Sequence, residues 1–404
     1  HRLFARVDNY SNSNHKIEEL IIDEISMITL DTLYYILKIK KPKKLIILGD
    51  IKQLPPIGYG SLATSIYNHL FLESSFQDIC LAKMETSHRA DDNSLFIKHS
   101  LTLRDKEKQL KKEDLEKNIK KVFNKKDNFI LLPYSNEQNN TIGTIIETIY
   151  NIEGEKGTFL ENIKEKNKDI QILTPNRIGE SGTYAINEIF KNALGGREAK
   201  EGLKFIYNKN DKKTKLSNGT MGYYEQVNEV NKETKKEEQK DKINFDGKKV
   251  PYSGSFEDTN YELGFAITVH KSQGSGFPIV ILVLPKQNNS LITKELIYTA
   301  LTRPEQKMYI LYHKDNIKAL TQLPSIPHIN MNLFDRDKLL WIKDEIEYPI
   351  KYNDIEYRRK QDLYFALMLE YSDVEDVEYH KNGSFVWKIN NEEMLLMPKF
   401  YIEE

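Results

Sequence analysis

The chain is predicted to be an α/β protein built on layered parallel sheets, and three observations point there. Apolar runs at residues 20–22, 45–48, 170–173, 279–283 and 308–311 are short and bounded by polar or loop residues, the pattern of buried parallel strands. Between them lie amphipathic stretches of helical length, such as 183–192 and 291–302. Polar and acidic clusters follow the apolar runs, and in α/β layers the sites gather at strand C-terminal ends.

A length of 404 residues exceeds one ordinary hydrophobic core and points to two or three domains. The 59 basic and 60 acidic residues nearly cancel, so composition carries no global signature of nucleic-acid binding and any positive track is local. A single cysteine, Cys80, excludes an internal disulfide framework and an all-cysteine metal site; it reads as a small buried apolar residue in a reducing compartment. No apolar run approaches the roughly 20 residues that span a bilayer, and the front end lacks a charged-then-apolar leader. The expectation is a soluble protein of the cytoplasm, or of the nucleus in a eukaryote.

Two stretches break the strand–helix rhythm. Residues 104–127 are dense in Lys and Glu, as in a solvated helix or a connection between domains. Residues 205–262 combine a Ser217-Asn218-Gly219 turn, alternating Tyr and Val, a charged run over 231–242 and an Asp246-Gly247 turn, which predicts a small β-rich insertion. The proline-punctuated segment 323–327 marks a further boundary before the tail.

Leu20-Ile21-Ile22-Asp23-Glu24 is an apolar strand ending in two adjacent carboxylates. Such a pair divides two jobs at a nucleotide site, one carboxylate supporting Mg²⁺ and its neighbour orienting the attacking water. We assign Asp23 to the metal and Glu24 to the water. A second strand leads into Gly49-Asp50-Ile51-Lys52-Gln53-Leu54-Pro55-Pro56, whose prolines fix φ and remove two donors. A loop held that way presents Gln53 as a neutral sensor of the γ-phosphate.

These two elements resemble motifs II and III of superfamily 1 helicases, and further matches follow in order, of the RecD-like kind. Ser87-His88-Arg89 resembles the element whose arginine reaches the γ-phosphate. Ile172-Leu173-Thr174-Pro175-Asn176-Arg177, followed by Gly179 and Gly182, resembles the opening of the second motor domain. Leu216-Ser217-Asn218-Gly219-Thr220-Met221-Gly222 resembles the start of a small β-barrel insertion, Thr268-Val269-His270-Lys271-Ser272-Gln273-Gly274-Ser275 motif V, and Tyr298-Thr299-Ala300-Leu301-Thr302-Arg303 motif VI.

The resemblance implies two RecA-like P-loop NTPase domains. Residues 1–126 form the remainder of the first, 127–204 with 263–318 the second, 205–262 the insertion, and 319–404 a C-terminal α/β appendage. It implies an ATP- and Mg²⁺-dependent helicase moving 5′ to 3′ on single-stranded DNA, with RNA left open. Asp23, Gln53, Arg89, Gly274 and Arg303 would meet the nucleotide, Arg303 as an arginine finger reaching across the cleft. Thr174, Pro175, Asn176, Thr268, His270, Lys271, Ser272 and Gln273 would meet the strand, gripping phosphates without reading sequence. Competing readings are the motor part of an ATP-dependent nuclease and a non-catalytic nucleic-acid scaffold; protein partners stay open.

Three departures qualify the match. No Gly-x-x-x-x-Gly-Lys-Ser/Thr phosphate loop occurs, since Gly247-Lys248-Lys249 lacks the hydroxyl residue and Gly154-Glu155-Lys156-Gly157 has the wrong order. His1-Arg2-Leu3-Phe4 resembles the segment that lies between motifs I and II, so truncation is the expected cause. Pro304 stands where the family has a small residue and is expected to end the motif VI helix. The tail, with Arg358-Arg359-Lys360-Gln361-Asp362, Tyr379 and Pro398-Lys399-Phe400-Tyr401-Ile402, faintly resembles the start of a PD-(D/E)xK nuclease, but Lys399 occupies the place of the metal-binding aspartate. The 404-residue chain is therefore expected to hydrolyse ATP poorly or not at all. Robust nucleic-acid-stimulated phosphate release from it would overturn that expectation.

Overall fold

The structure, a computed structural model, describes residues 18–29, 32–33, 36–37, 40, 42–56, 62–64, 66–67, 82, 94–104, 109–119, 125–135, 137, 140–211, 213–230, 237–256, 258, 260–286 and 291–326, and the backbone of strands at 350–352, 355–357, 377–379, 385–389 and 392–396. His1 to Phe4, Cys80, Ser87-His88-Arg89, residues 358–362 and residues 398–402 lie outside the described residues.

Strands β1 (Glu19–Ile22) and β2 (Lys44–Ile47) pair in parallel, with Leu20 opposite Leu45 and Ile22 opposite Ile47. Leu20 and Ile22 turn onto a core with Ile25, Leu33, Ile36, Leu62 and Ala63. Full burial of these strands, expected from their composition, does not hold: Ile21 is 58% exposed. The strand's period of two sends Leu20 and Ile22 to the covered face and Ile21 to the other.

A second sheet holds β3 (Phe129–Tyr134), β4 (Ile170–Thr174), β10 (Ala266–Thr268), β11 (Phe277–Val283) and β12 (Pro304–His313), all parallel, in the order β10-β4-β11-β12-β3. Both faces are covered, which is why its strands read as continuous apolar runs. Ile130, Leu132, Ile172, Ile281 and Leu311 pack in one core with residues of α3 (Ile142–Glu153), α4 (Phe159–Lys166) and α5 (Thr183–Ala193). Leu131, Leu173, Val280, Leu282 and Ile310 pack in another with α1 (Leu95–Arg104), α6 (Lys294–Leu301) and α7 (Lys318–Thr321). Helix α6 starts three residues later than its amphipathic pattern suggests, because Thr293 caps it by accepting the Leu296 N–H at 3.2 Å. It ends at Leu301, ahead of Pro304, which opens β12.

The Lys/Glu-rich stretch 104–127 is not wholly solvated. Its short helix α2 (Lys112–Glu116) buries Leu115 in the second core, and Leu110 joins it. Gln109 donates to Leu323 O at 2.9 Å and accepts from Leu323 N at 3.1 Å, a reciprocal pair that holds the stretch to the segment following α7.

The β-rich insertion is a five-stranded antiparallel sheet of β5 (Lys204–Tyr207), β6 (Met221–Val230), β7 (Glu237–Phe245), β8 (Lys248–Pro251) and β9 (Tyr261–Leu263), ordered β8-β7-β6-β5-β9. Asp246 at φ 53° and Gly247 at φ 82° link the paired Phe245 and Lys248, the two-residue turn that matches strand twist. The second half of the charged run is strand, stabilised by cross-strand pairs such as Lys242 with Glu229. In the tail, β13 (Ile350–Tyr352) pairs with β14 (Ile355–Tyr357), and β15 (Val377–Tyr379), β16 (Phe385–Ile389) and β17 (Glu392–Leu396) form an antiparallel sheet. No helix among the described residues is long and apolar enough to cross a membrane.

One ion pair is buried inside the second lobe. Glu153, closing α3, accepts from Lys307 Nζ at 2.6 Å and from the Tyr309 hydroxyl, both on β12. The Lys307 and Glu153 side chains are 9% and 7% exposed. Glu153→Ala strands an ammonium in the core and is expected to cost about 3–5 kcal/mol in urea denaturation. A loss below about 1 kcal/mol, the value of an exposed pair, would refute this.

Candidate functional site

The site is assembled at the C-terminal ends of β1 and β2 and closed from the other side by the second sheet's loops. Asp23 follows β1, exposed, and its Oδ1 accepts the Glu24 N–H at 2.9 Å. Glu24 is left-handed, φ 54° and ψ 52°, a conformation that costs a non-glycine residue on the order of 1–2 kcal/mol. The kink turns the chain into a short 3-10 helix, Ile25–Met27, whose first N–H donates to Leu48 O at 3.0 Å. That contact demands a glycine next door: a Cβ on Gly49 would lie 2.7 Å from Ile25 Cγ2 and 2.9 Å from Ile25 N.

Beyond Gly49, Asp50 organises the loop. Its Oδ1 accepts the Lys52 N–H at 2.9 Å and its Oδ2 the Tyr298 hydroxyl at 2.5 Å. Burial, then the Asp50 charge, pushes the Tyr298 phenol well above its ordinary range, so it stays protonated as the donor. Gln53 Oε1 and Ser26 Oγ are buried and have no hydrogen-bond partner among the described residues.

The next residue, Leu54, is 2% exposed and belongs to the core of the second lobe. Its N–H donates to Thr299 Oγ1 at 2.9 Å and its carbonyl accepts from Gln273 Nε2 at 2.8 Å. Three motifs that resemblance placed in sequence thus meet at one backbone unit. Thr299→Val leaves the Leu54 amide buried and unsatisfied, an expected loss of about 1–3 kcal/mol in equilibrium denaturation. Thr299→Ser should retain most of it, and equal losses for both would refute the bond's role.

The turn after β10 carries most of the other candidates. Thr268 ends the strand, and a 3-10 turn, His270–Ser272, follows. Burial holds the His270 imidazole below its ordinary pKa, so it is neutral at pH 7. Lys271 donates to Asn208 Oδ1 at 2.9 Å and to Glu262 Oε1. Ser272 is buried and donates to Val269 O at 2.7 Å. Gly274, exposed at φ 76°, needs the freedom of glycine. On the neighbouring β4, Thr174 is buried and donates to Ser181 O at 2.6 Å, Pro175 is buried, and Asn176 is half-buried. At these positions the Thr174 and Ser272 hydroxyls are turned inward onto backbone carbonyls, Pro175 is buried, and Gln273 donates to Leu54 O, so these side chains do not present a face for a strand.

Arg303 departs furthest from expectation. Instead of reaching across the cleft it is 1% exposed and folded into its own lobe. It donates to Thr299 O at 3.0 Å, Ser275 O at 3.0 Å, Ser272 O at 3.4 Å and Thr302 Oγ1 at 2.9 Å. The backbone carbonyls of the neighbouring turn converge on the guanidinium's forked donors, and this holds it inward. Arg89, expected opposite, lies outside the described residues.

The donor set suits Mg²⁺ rather than an all-protein metal cage. Among the described residues no three His, Cys, Asp or Glu side chains converge. Asp23 has one carboxylate oxygen beyond the one that takes the Glu24 N–H, and Mg²⁺ is held by one or two carboxylates together with substrate phosphates and water. Sequence reasoning missed Leu54, Asp50, Thr299 and Tyr298 as a clasp between lobes, and missed Arg177 and Glu262. All but Glu262 lie within the motifs quoted, but residue type does not reveal which polar group turns inward.

Comparison with known proteins agrees with the order of these elements. The UvrD-like helicase C-terminal domain matches residues 263–311, and an AAA domain matches residues 2–59. The uncharacterized protein MJ1519 of Methanocaldococcus jannaschii is 31% identical over 401 residues, covering 85% of this chain and 33% of that protein. The ATP-dependent RecD2 DNA helicase of Deinococcus radiodurans is 33% identical over 149 residues, 35% of this chain and 19% of that protein. The RecBCD enzyme subunit RecD of Buchnera aphidicola is 26% identical over 332 residues, 74% and 54% of the two chains. The chain thus spans between a fifth and about half the length of these relatives. A solved structure of Pif1 helicases at forked DNA, 16% identical, covers 80% of this chain and 74% of its own with a TM-score of 0.42, too loose a fit to bear weight. The two family matches, the RecD-named relatives and the order of the motifs together support a superfamily 1 helicase of the RecD-like kind.

Proposed function

We propose that the chain is part of an ATP-driven motor that moves 5′ to 3′ along single-stranded DNA and unwinds duplex ahead of it. The observation that carries this reading is the clasp at Leu54. It joins the loop bearing Gln53 to the turn bearing Lys271 and to the helix leading to Arg303, as coupling between a nucleotide and a strand requires. The relative named as an ATP-dependent DNA helicase supports ATP and DNA as the ligands.

In this reading the nucleotide lies between the lobes, where Asp23 with the substrate phosphates would hold Mg²⁺, which would supply positive charge to the transferred phosphoryl group. Glu24 orients and polarises the attacking water from a left-handed backbone position just past β1. Gln53 Oε1, lacking a protein donor among the described residues, accepts from that water, while its amide N–H group donates to the γ-phosphate. Arg89 and Arg303 contribute positive charge, Arg303 by exchanging its carbonyl acceptors for phosphate oxygens as the lobes close. Gly274 gives the nucleotide close approach to backbone. Thr268, His270 and Lys271 face the strand with Asn176, and they grip phosphates rather than bases.

The test is Glu24→Gln in the protein carrying a Gly-Lys-Ser/Thr phosphate loop. The variant should bind ATP and single strands, lose about 100-fold or more in phosphate release, and fail to unwind. Unwinding at the wild-type rate would overturn the assignment.

A further inference from the structure

Beside the strand-facing turn lies a cluster of Arg177, Lys271 and Glu262, of which only Lys271 has a role from the motifs. Arg177, in the loop after β4, is half-exposed, and its Nη2 donates to Glu262 Oε2 at 2.9 Å. Its guanidinium lies 5.1 Å over the Tyr184 ring, which holds its plane. Lys271, in the turn after β10, donates to the other oxygen of the same carboxylate, Glu262 Oε1, and to Asn208 Oδ1 at 2.9 Å. Two cations from adjacent strand ends of the parallel sheet therefore share one anion, which comes with Asn208 from the insertion. Without that anion the two positive charges would repel, so the arrangement is built around a group with two acceptor oxygens.

A backbone phosphodiester is such a group. It carries one negative charge on two exposed oxygens, and arginine's planar fork matches carboxylate and phosphate alike. The surroundings fit a single strand: next to Arg177 stand Ile178, 79% exposed, and Tyr184, 43% exposed, apolar and aromatic surfaces suited to unpaired bases. We infer that Arg177 and Lys271 form one phosphodiester subsite and that Glu262 is its internal competitor, occupying both cations until a phosphate of the strand displaces it. This rests on the helicase reading and adds to it a residue that sets affinity by opposing the ligand. The competitor is tethered, so it returns whenever the phosphate leaves, and each grip is reversible.

The test is binding of a fluorescent oligothymidylate to the 404-residue chain, followed by anisotropy over a salt series. Glu262→Gln, nearly isosteric, keeps the neutral acceptor and removes the charge. It should tighten binding about fivefold, the scale of two partly exposed ion pairs. Arg177→Ala and Lys271→Ala should each weaken binding and lower the slope of log K against log salt by about one. In the double alanine background Glu262→Gln should change nothing, which separates removal of a competitor from a general shift in net charge. Weaker or unchanged binding by Glu262→Gln, with both alanine variants impaired, overturns the competitor and leaves the helicase reading standing. No binding by wild type or any variant overturns both.

Discussion

The arrangement depends on one backbone unit, the peptide groups on either side of Leu54. Its N–H and C=O leave the first lobe's loop and find both partners, Thr299 and Gln273, in the second lobe, while the side chain fills the second lobe's core. Buried backbone groups must be satisfied, and here the satisfaction comes from another unit of the fold. Pro55 and Pro56 follow immediately and stiffen the exit. The loop from Gly49 to Leu54 is therefore fixed at its start by close packing on Ile25, in its middle by the Asp50 contacts, and at its end by the clasp. Gln53 is positioned by these constraints and by its own N–H, which donates to Asp50 O at 3.3 Å, while its side-chain Oε1 has no partner among the described residues.

The parallel sheets supply the rigid frame. In the second lobe both faces are covered, and the charged groups that enter its layers find polar partners there, Glu153 in Lys307, Lys204 in the Ile170 carbonyl and Arg303 in the carbonyls of a neighbouring turn. Such a frame lets strain be stored at its edge: the left-handed Glu24 stands between a paired strand and a helical turn bonded to Leu48, which hold it from both sides.

Much of this was legible in sequence, and the exceptions follow a rule. Strand positions, parallel pairing and the Asp246-Gly247 hairpin were readable because apolar period and turn chemistry are local. The exposure of Ile21 was not, because whether a parallel strand has one covered face or two depends on what packs against it. The charged half of β7 escaped notice because its Lys and Glu are satisfied across strands, by Glu229 and its neighbours, at no cost to the ladder. Within the motifs, position was legible and direction was not. Thr174, Ser272 and Gln273 are polar residues of the expected kind, yet each turns to a backbone carbonyl inside the protein. Arg303 does the same with four acceptors.

That inward direction is informative about coupling. Six consecutive residues, His270 to Ser275, touch every moving part of the reading. Lys271 holds Glu262, Ser272 and Ser275 lend their carbonyls to Arg303, and Gln273 holds Leu54. On the proposed reading, a strand phosphate that drew Lys271 away from Glu262 would pull on the backbone that carries Arg303's acceptors and the Gln273 amide. A γ-phosphate drawing Arg303 outward frees the same carbonyls. Coupling needs an element that both ligands bias, rather than mere nearness of two sites. On the proposed reading the turn is the candidate for that element: it is short, bonded at three points, and contains Gly274 at a φ of 76° that only glycine adopts without strain. On the proposed reading each ligand substitutes for an acceptor the protein already supplies, the strand phosphate for Glu262 at Lys271 and the γ-phosphate for the carbonyls at Arg303.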